Sequence, residues 1–273
     1  MKLTHTLWSK PIQNNRWGID NKPLIWYAAL SLLSAKKYIP NVEFDLYTDT
    51  AGALMLKDLP YNNIKIVLDN LKVDSRFFAA GKIYAKEQMP LNSIHIDLDV
   101  FFEKDNISEL LEFKGYDLLT QNIASFKNKE ANYLKVLAPS LMDKLNNPLL
   151  GCGVVGFSSQ ELKDKYIQEY KKSVLQLCKN YSLFKEVTDR YNLNWDLLVE
   201  ETLLYHLSKE YKVKTIITNE ITHDVAKSEY GFNHIVSKQK FNAENIAKVK
   251  QAVKELNEDV YIKLRKYDNL GLD

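Results

Sequence analysis

Cysteine is scarce in this chain: 273 residues contain only Cys152 and Cys178. Two thiols cannot build the disulfide framework of a small secreted domain, and their spacing forms no C-x-x-C metal site. Arginine is nearly as rare, with four residues, and the formal charge is only +2. So even a balance leaves no electrostatic footprint for nucleic acid, and none is expected as a partner. Long apolar runs are missing as well. The longest, residues 24–35, is interrupted by Ser31 and Ser34 and falls short of the roughly 20 residues that span a bilayer. Met1-Lys2-Leu3-Thr4-His5-Thr6 lacks the apolar stretch of a signal peptide, so a cytoplasmic protein is expected.

What is present is ordinary for a globular enzyme: 45% hydrophobic and 26% charged residues, in a chain long enough to bury a large core. Strand-like and helix-like segments alternate, which predicts an α/β fold. Strands are expected over 2–8, 42–48, 64–68, 94–100, 117–120, 154–157 and 212–218. Helices are expected over 24–37 (entered at Pro23), 51–59, 77–88, 130–145 and 195–209, and over 161–179 behind a Ser158–Glu161 capping box. Residues 242–266 form one long amphipathic pattern, with Ile246, Val249, Val253, Leu256, Val260 and Leu264 on a single stripe. The expected division is a domain over 1–241 and a C-terminal helical extension over 242–273. Its stripe would dock on the protein's own body, or else serve dimerisation or peripheral contact with an anionic membrane.

The most informative run is Ile94-His95-Ile96-Asp97-Leu98-Asp99-Val100-Phe101-Phe102. Its β-branched and aromatic content reads as a strand, on which His95, Asp97, Asp99 and Phe101 would share one face. Two carboxylates so placed repel each other, and burying them requires a cation or a proton between them. A hard divalent ion with oxygen ligands is the natural partner, and a nucleotide diphosphate would complete its shell. Gly151-Cys152-Gly153-Val154-Val155-Gly156 matches a dinucleotide fingerprint on paper. No strand precedes it and no helix opens within it, so its glycines are read as a close backbone approach to a ligand, or merely as a tight turn. Further on, His234 and the nearby Lys238 and Lys240 would suit a metal–diphosphate as ligand and charge clamp, or they are simply solvated.

Taken together, this order of elements, the I-D-L-D-V strand, the G-V-V-G-F strand and a late H-x-x-S-x-x-K resemble the GT-A-type nucleotide-sugar glycosyltransferases. The resemblance implies a single Rossmann-like domain with a mixed central sheet flanked by helices. It implies that Asp99 binds Mn²⁺ or Mg²⁺, with Asp97 reaching the metal or the ribose. In the glycogenin-like and galactosyltransferase-like branches a late H-x-x-G-x-x-K supplies a third metal ligand and a phosphate-binding lysine, which implies those roles for the matching His234 and Lys240. Ser237 stands where that motif has glycine. By the same resemblance Asp49 and Trp8 are candidates to contact the nucleotide base, and Lys82 to reach a phosphate. Each also fits a plain role, in the core for Trp8 and on a solvated face for Lys82.

A transferase that inverts configuration must also manage the acceptor's hydroxyl proton. Asp196, Glu200 and Glu201 lie on one helical stretch, and Glu201 shares a face with Leu197, Leu198, Leu204 and Tyr205. That makes Glu201 the expected inward acid, as base or as a ligand for acceptor hydroxyls, with Asp196 nearby. The expected activity is hexosyl transfer from a nucleoside-diphosphate sugar, a UDP-sugar foremost, to a saccharide or glycolipid acceptor in polysaccharide biosynthesis. Two alternatives remain open. One is a haloacid-dehalogenase-like phosphatase using the same D-x-D, although Phe101 replaces its usual Thr or Val. The other is a catalytically silent binding module on the same fold.

Overall fold

The computed structural model describes residues 1–13, 23–124, 149–182, 195–216, 231–235 and 241–269. The expected helix over 130–145 and Lys240 lie outside them. From the N-terminus the elements are β1 (Lys2–Leu7), α1 (Lys10–Gln13), α2 (Pro23–Tyr38), β2 (Glu43–Thr48), α3 (Thr50–Leu56) and β3 (Asn63–Ile66). Then come α4 (Ala79–Gln88), β4 (Ser93–Ile96), β5 (Val100–Phe102), α5 (Ile107–Leu110), β6 (Leu118–Thr120) and β7 (Ile123–Ala124). The remainder is β8 (Leu149–Leu150), β9 (Val154–Phe157), α6 (Gln160–Lys179), α7 (Trp195–Leu207), β10 (Val213–Thr215), β11 (Phe232–His234), α8 (Ala243–Leu256) and α9 (Glu258–Asn269). The class is mixed α/β, with a mostly parallel sheet flanked by helices. Two compact units are distinguished: residues 1–71, 93–112 and 221–273 form one, and 72–92 and 113–220 the other.

In the first unit four parallel strands run in the order β4-β1-β2-β3. The chain steps outward from β1 to β3 and then returns to the far side of β1. Strand order therefore reverses between β1 and β4, and ligands of open α/β sheets bind beyond the carboxyl ends of strands at such a point. Trp8, Asp49 and Asp97 directly follow or closely succeed the ends of β1, β2 and β4. α2 is buried on every side from Leu24 to Ala35 because β5 and α8 both pack against it. That packing is why this helix carries apolar residues on every face, with Ser31 and Ser34 as its only polar interruptions between Leu24 and Ala35.

The C-terminal segment belongs to this first unit and forms two helices rather than one. Asn257 takes an extended conformation (φ −161°, ψ 102°), and its Oδ1 accepts from Val260 N at 3.0 Å, capping α9. The apolar stripe survives the break: Val249, Val253, Val260 and Leu264 are all buried. Its cover is the protein itself, since Trp26 of α2 donates Nε1–H to Asp268 at 3.1 Å and lies under the Lys250 ammonium. No helix among the described residues is long and apolar enough to cross a membrane.

In the second unit β10 runs parallel to β6, β9 antiparallel to β6, and β7 pairs with β8. Helices α4, α6 and α7 pack on one another. Ser159, not Ser158, caps α6, accepting from Leu162 N at 3.2 Å. Ser158 is committed elsewhere, its hydroxyl donating to the Tyr116 carbonyl at 2.6 Å.

Candidate metal centre

The strand expected over 94–100 is interrupted where its chemistry lies. β4 ends at Ile96, and Asp97-Leu98-Asp99 forms a turn closed by Val100 N donating to Asp97 O at 3.1 Å. A turn lets both carboxylates face one point, which a flat strand with side chains about 7 Å apart along one face does not. β5 then pairs antiparallel with β11, setting His234 opposite Val100 and one residue from Asp99. Ile235 N donates to the Asp99 carbonyl at 3.1 Å, extending that ribbon past the turn. The result brings together residues more than a hundred positions apart: His234 Nε2 lies 3.4 Å from Asp99 Oδ1.

Asp97, Asp99 and His234 each place one ligand atom within 4.8 Å of the others. Adjacent ligands of an octahedral ion at 2.0–2.1 Å are roughly 3 Å apart and opposite ones roughly 4.2 Å, so small side-chain shifts accommodate a dication. Two carboxylates and an imidazole form a hard-to-borderline donor set that suits Mn²⁺, and Mg²⁺ less well. Asp99 is only 4% exposed, so its charge is held largely out of water beside a second carboxylate. The field of Asp99 extends inward. Burial lowers the His5 imidazole to about 3 against that field, and burial with Asp99 pushes the Tyr27 phenol up to about 12.

Two other expected nucleotide contacts sit nearby in the same unit. Trp8 is buried just past β1. The Asp49 carboxylate is taken up internally, accepting from Ser9 N (2.9 Å), Ser9 Oγ (2.8 Å) and Gly52 N (2.8 Å). It thereby joins the end of β1 to the start of α3. Gly52 is required there, since a Cβ would stand 2.2 Å from Thr48 Oγ1.

The second unit contains a charged cluster that sequence reasoning placed one residue away. Glu200, not Glu201, is the fully buried acid of α7, and Glu201 is half-buried. Glu200 meets Lys86 at 3.3 Å and Lys82 at 3.6 Å, so Lys82 is engaged in an ion pair rather than on a free face. Leu203, Leu204 and Leu207 lie on the buried side with Glu200, whereas the apolar residues of this helix run nearly all round it and hide which face turns inward. Asp196 lies in the first turn of α7. Burial, then Glu200 and Glu201, push the Cys152 thiol well above its usual range, which sets the glycine-rich segment beside these acids. In that segment Gly151 is needed by the chain's own Asn122 rather than by a ligand: a Cβ on Gly151 would stand 2.1 Å from Asn122 Oδ1.

The fold is shared with glycosyltransferases of the GT-A type. The galactosyltransferase LgtC, solved with donor and acceptor sugar analogues, matches with a TM-score of 0.51 and 12% identity, covering 94% of this chain and 96% of that one. An active-site mutant of LgtC matches with a TM-score of 0.52 and 10% identity over the same shares. At such identities the likeness is one of fold. By sequence the chain belongs to DUF6734, a family of unknown function, whose profile matches residues 1–267. No curated protein matches it.

Proposed function

We propose that this protein is a metal-dependent glycosyltransferase of hexosyltransferase type. It would move a sugar from a nucleoside-diphosphate donor, with UDP as the nucleotide, to a saccharide or glycolipid acceptor in cytoplasmic polysaccharide assembly. One observation carries the reading: Asp97, Asp99 and His234 converge just beyond the carboxyl end of β4, at the reversal of a parallel sheet in a GT-A fold. These three residues would hold Mn²⁺ or Mg²⁺. When bound, the ion supplies positive charge against the departing diphosphate.

The other roles belong to this chain's own groups. Trp8 would offer its indole to the base, and Asp49, through its grip on Ser9, would fix the backbone on which the base rests. Lys240 would carry positive charge to the phosphates. Glu201 would handle the acceptor hydroxyl, as base or as hydrogen-bond acceptor, with Asp196 binding the acceptor beside it.

A thermal-shift screen of nucleotide sugars with and without Mn²⁺ tests the reading, because a bound donor stabilises the folded state by mass action. Stabilisation should require donor and metal together and vanish in Asp99→Asn. If no nucleoside-diphosphate sugar stabilises the protein with Mn²⁺ present, the proposal fails. Release of sugar from the stabilising donor then separates an enzyme from a silent binding module.

A further inference from the structure

β4 reads Ser93-Ile94-His95-Ile96 and is buried along its whole length. In such a strand β-branched and apolar residues are the rule, and an imidazole is costly unless a polar group answers it. His95 is 1% exposed and pairs in register with Thr4 of β1. Its Nδ1 lies 3.9 Å from Asp97 Oδ1. It stands outside the three-donor cluster, two residues before the Asp97 that belongs to it.

We propose that His95 is a positioning residue that orients the Asp97 carboxylate toward the metal. The inference rests on the metal-site reading above. A hydrogen bond between these atoms needs roughly 3 Å, and the terminal torsion of an aspartate is broad enough for a rotation to close the remaining gap. Asp97 keeps 20% of its side chain exposed, so its carboxylate has water as well as the site within reach, and a donor on one oxygen favours the orientation toward the site. With Nδ1–H donating to one oxygen, the other is directed at the ion, and a bond to a charged acceptor is among the stronger kinds. Hydrogen bonds to ligating groups of this sort typically change metal affinity by about tenfold to a hundredfold. The role needs only that Nδ1 carries a proton to donate.

Calorimetric titration of the unliganded protein with Mn²⁺ provides the test. His95→Phe keeps the ring and removes the donor, and it should weaken Mn²⁺ binding by about tenfold or more with little change in melting temperature. His95→Asn returns an N–H near the Nδ1 position and should restore most of the affinity. In an Asp97→Asn background, His95→Phe should cost nothing further, an outcome that a purely structural role would not give. Equal Mn²⁺ affinity in wild type and His95→Phe overturns the role of His95 and leaves the metal site standing. A wild-type protein that does not bind Mn²⁺ overturns the metal reading and this inference with it. If His95→Phe does not fold, the wild type labelled with ¹⁵N-histidine decides. Added Mg²⁺ should shift the His95 Nδ1 resonance, and an unmoved signal overturns the proposal.

Discussion

Lys86 and Glu200 face each other at 3.3 Å in the interior of the second unit, where neither side chain exceeds 2% exposure. A buried pair of this kind is weak evidence of net stability, but breaking it strands a charge. Lys86→Met should therefore destabilise the protein by about 3–5 kcal/mol, read from urea unfolding. Replacing both partners by apolar residues should recover part of that loss. A cost for Lys86→Met within about 1 kcal/mol, the range of surface pairs, would show that Lys82 alone satisfies Glu200.

Asp99→Asn should abolish metal-dependent donor binding, and Asp97→Asn should weaken it strongly. The amide keeps size and polarity but loses the charge that holds a hard dication. The fold should survive, because relieving one of two like charges removes repulsion. Calorimetry with UDP and Mn²⁺ checks the point, and wild-type affinity in Asp99→Asn refutes it.

His234→Ala should weaken Mn²⁺ binding and leave the metal-free protein nearly as stable as before. The imidazole is a side contact of a short ribbon, whose β5–β11 backbone pairing does not depend on it. If Mn²⁺ affinity is unchanged in this variant, the metal site rests on the carboxylates alone.

Much of this site was legible because its chemistry is hard to hide. Two aspartates in an apolar run, and a late histidine, stand out from any sequence background. The turn that brings them together was not legible. β-propensity over residues 94–100 is continuous, and only the loss of ladder pairing after Ile96 ends the strand. The same limit explains Glu200. α7 carries apolar residues nearly all round, so its period does not select between adjacent acids. Asn257 was passed over because the stripe keeps its spacing on both sides of the break, and Ser158 because its commitment to Tyr116 is a tertiary contact. His5 and Tyr61 form a part-buried pair 56 positions apart, at 2.7 Å, that no local pattern announces.

The C-terminal helices should be required for folding rather than for association. Val249, Val253, Val260 and Leu264 are buried, and each such residue contributes about 1.5–3 kcal/mol. Their sum rivals the whole stability of a typical domain, about 5–15 kcal/mol. A chain ending at Phe241 should be unfolded or aggregated by circular dichroism and size-exclusion chromatography. A folded monomer with an unchanged melting temperature would refute the requirement.

His5 should make the fold sensitive to acid. Both ring nitrogens are engaged, with Tyr61 at 2.7 Å and Ser31 at 2.9 Å, and burial holds its pKa at about 3 against 6.5 in the ordinary range. Between those values the unfolded chain takes up a proton that the folded chain refuses. The stabilising difference is therefore complete above pH 6.5 and is lost as pH falls through the window toward 3. Each pH unit well inside it costs up to about 1.4 kcal/mol. His5→Gln keeps a polar group without the titration. It should be less stable than wild type near neutrality, where the hydrogen bonds are imperfectly replaced, yet lose less on acidification. Urea unfolding at neutral pH and two units lower measures both slopes. If the two proteins lose stability in parallel, acid sensitivity comes from other groups and His5 is already protonated or exposed in the folded chain.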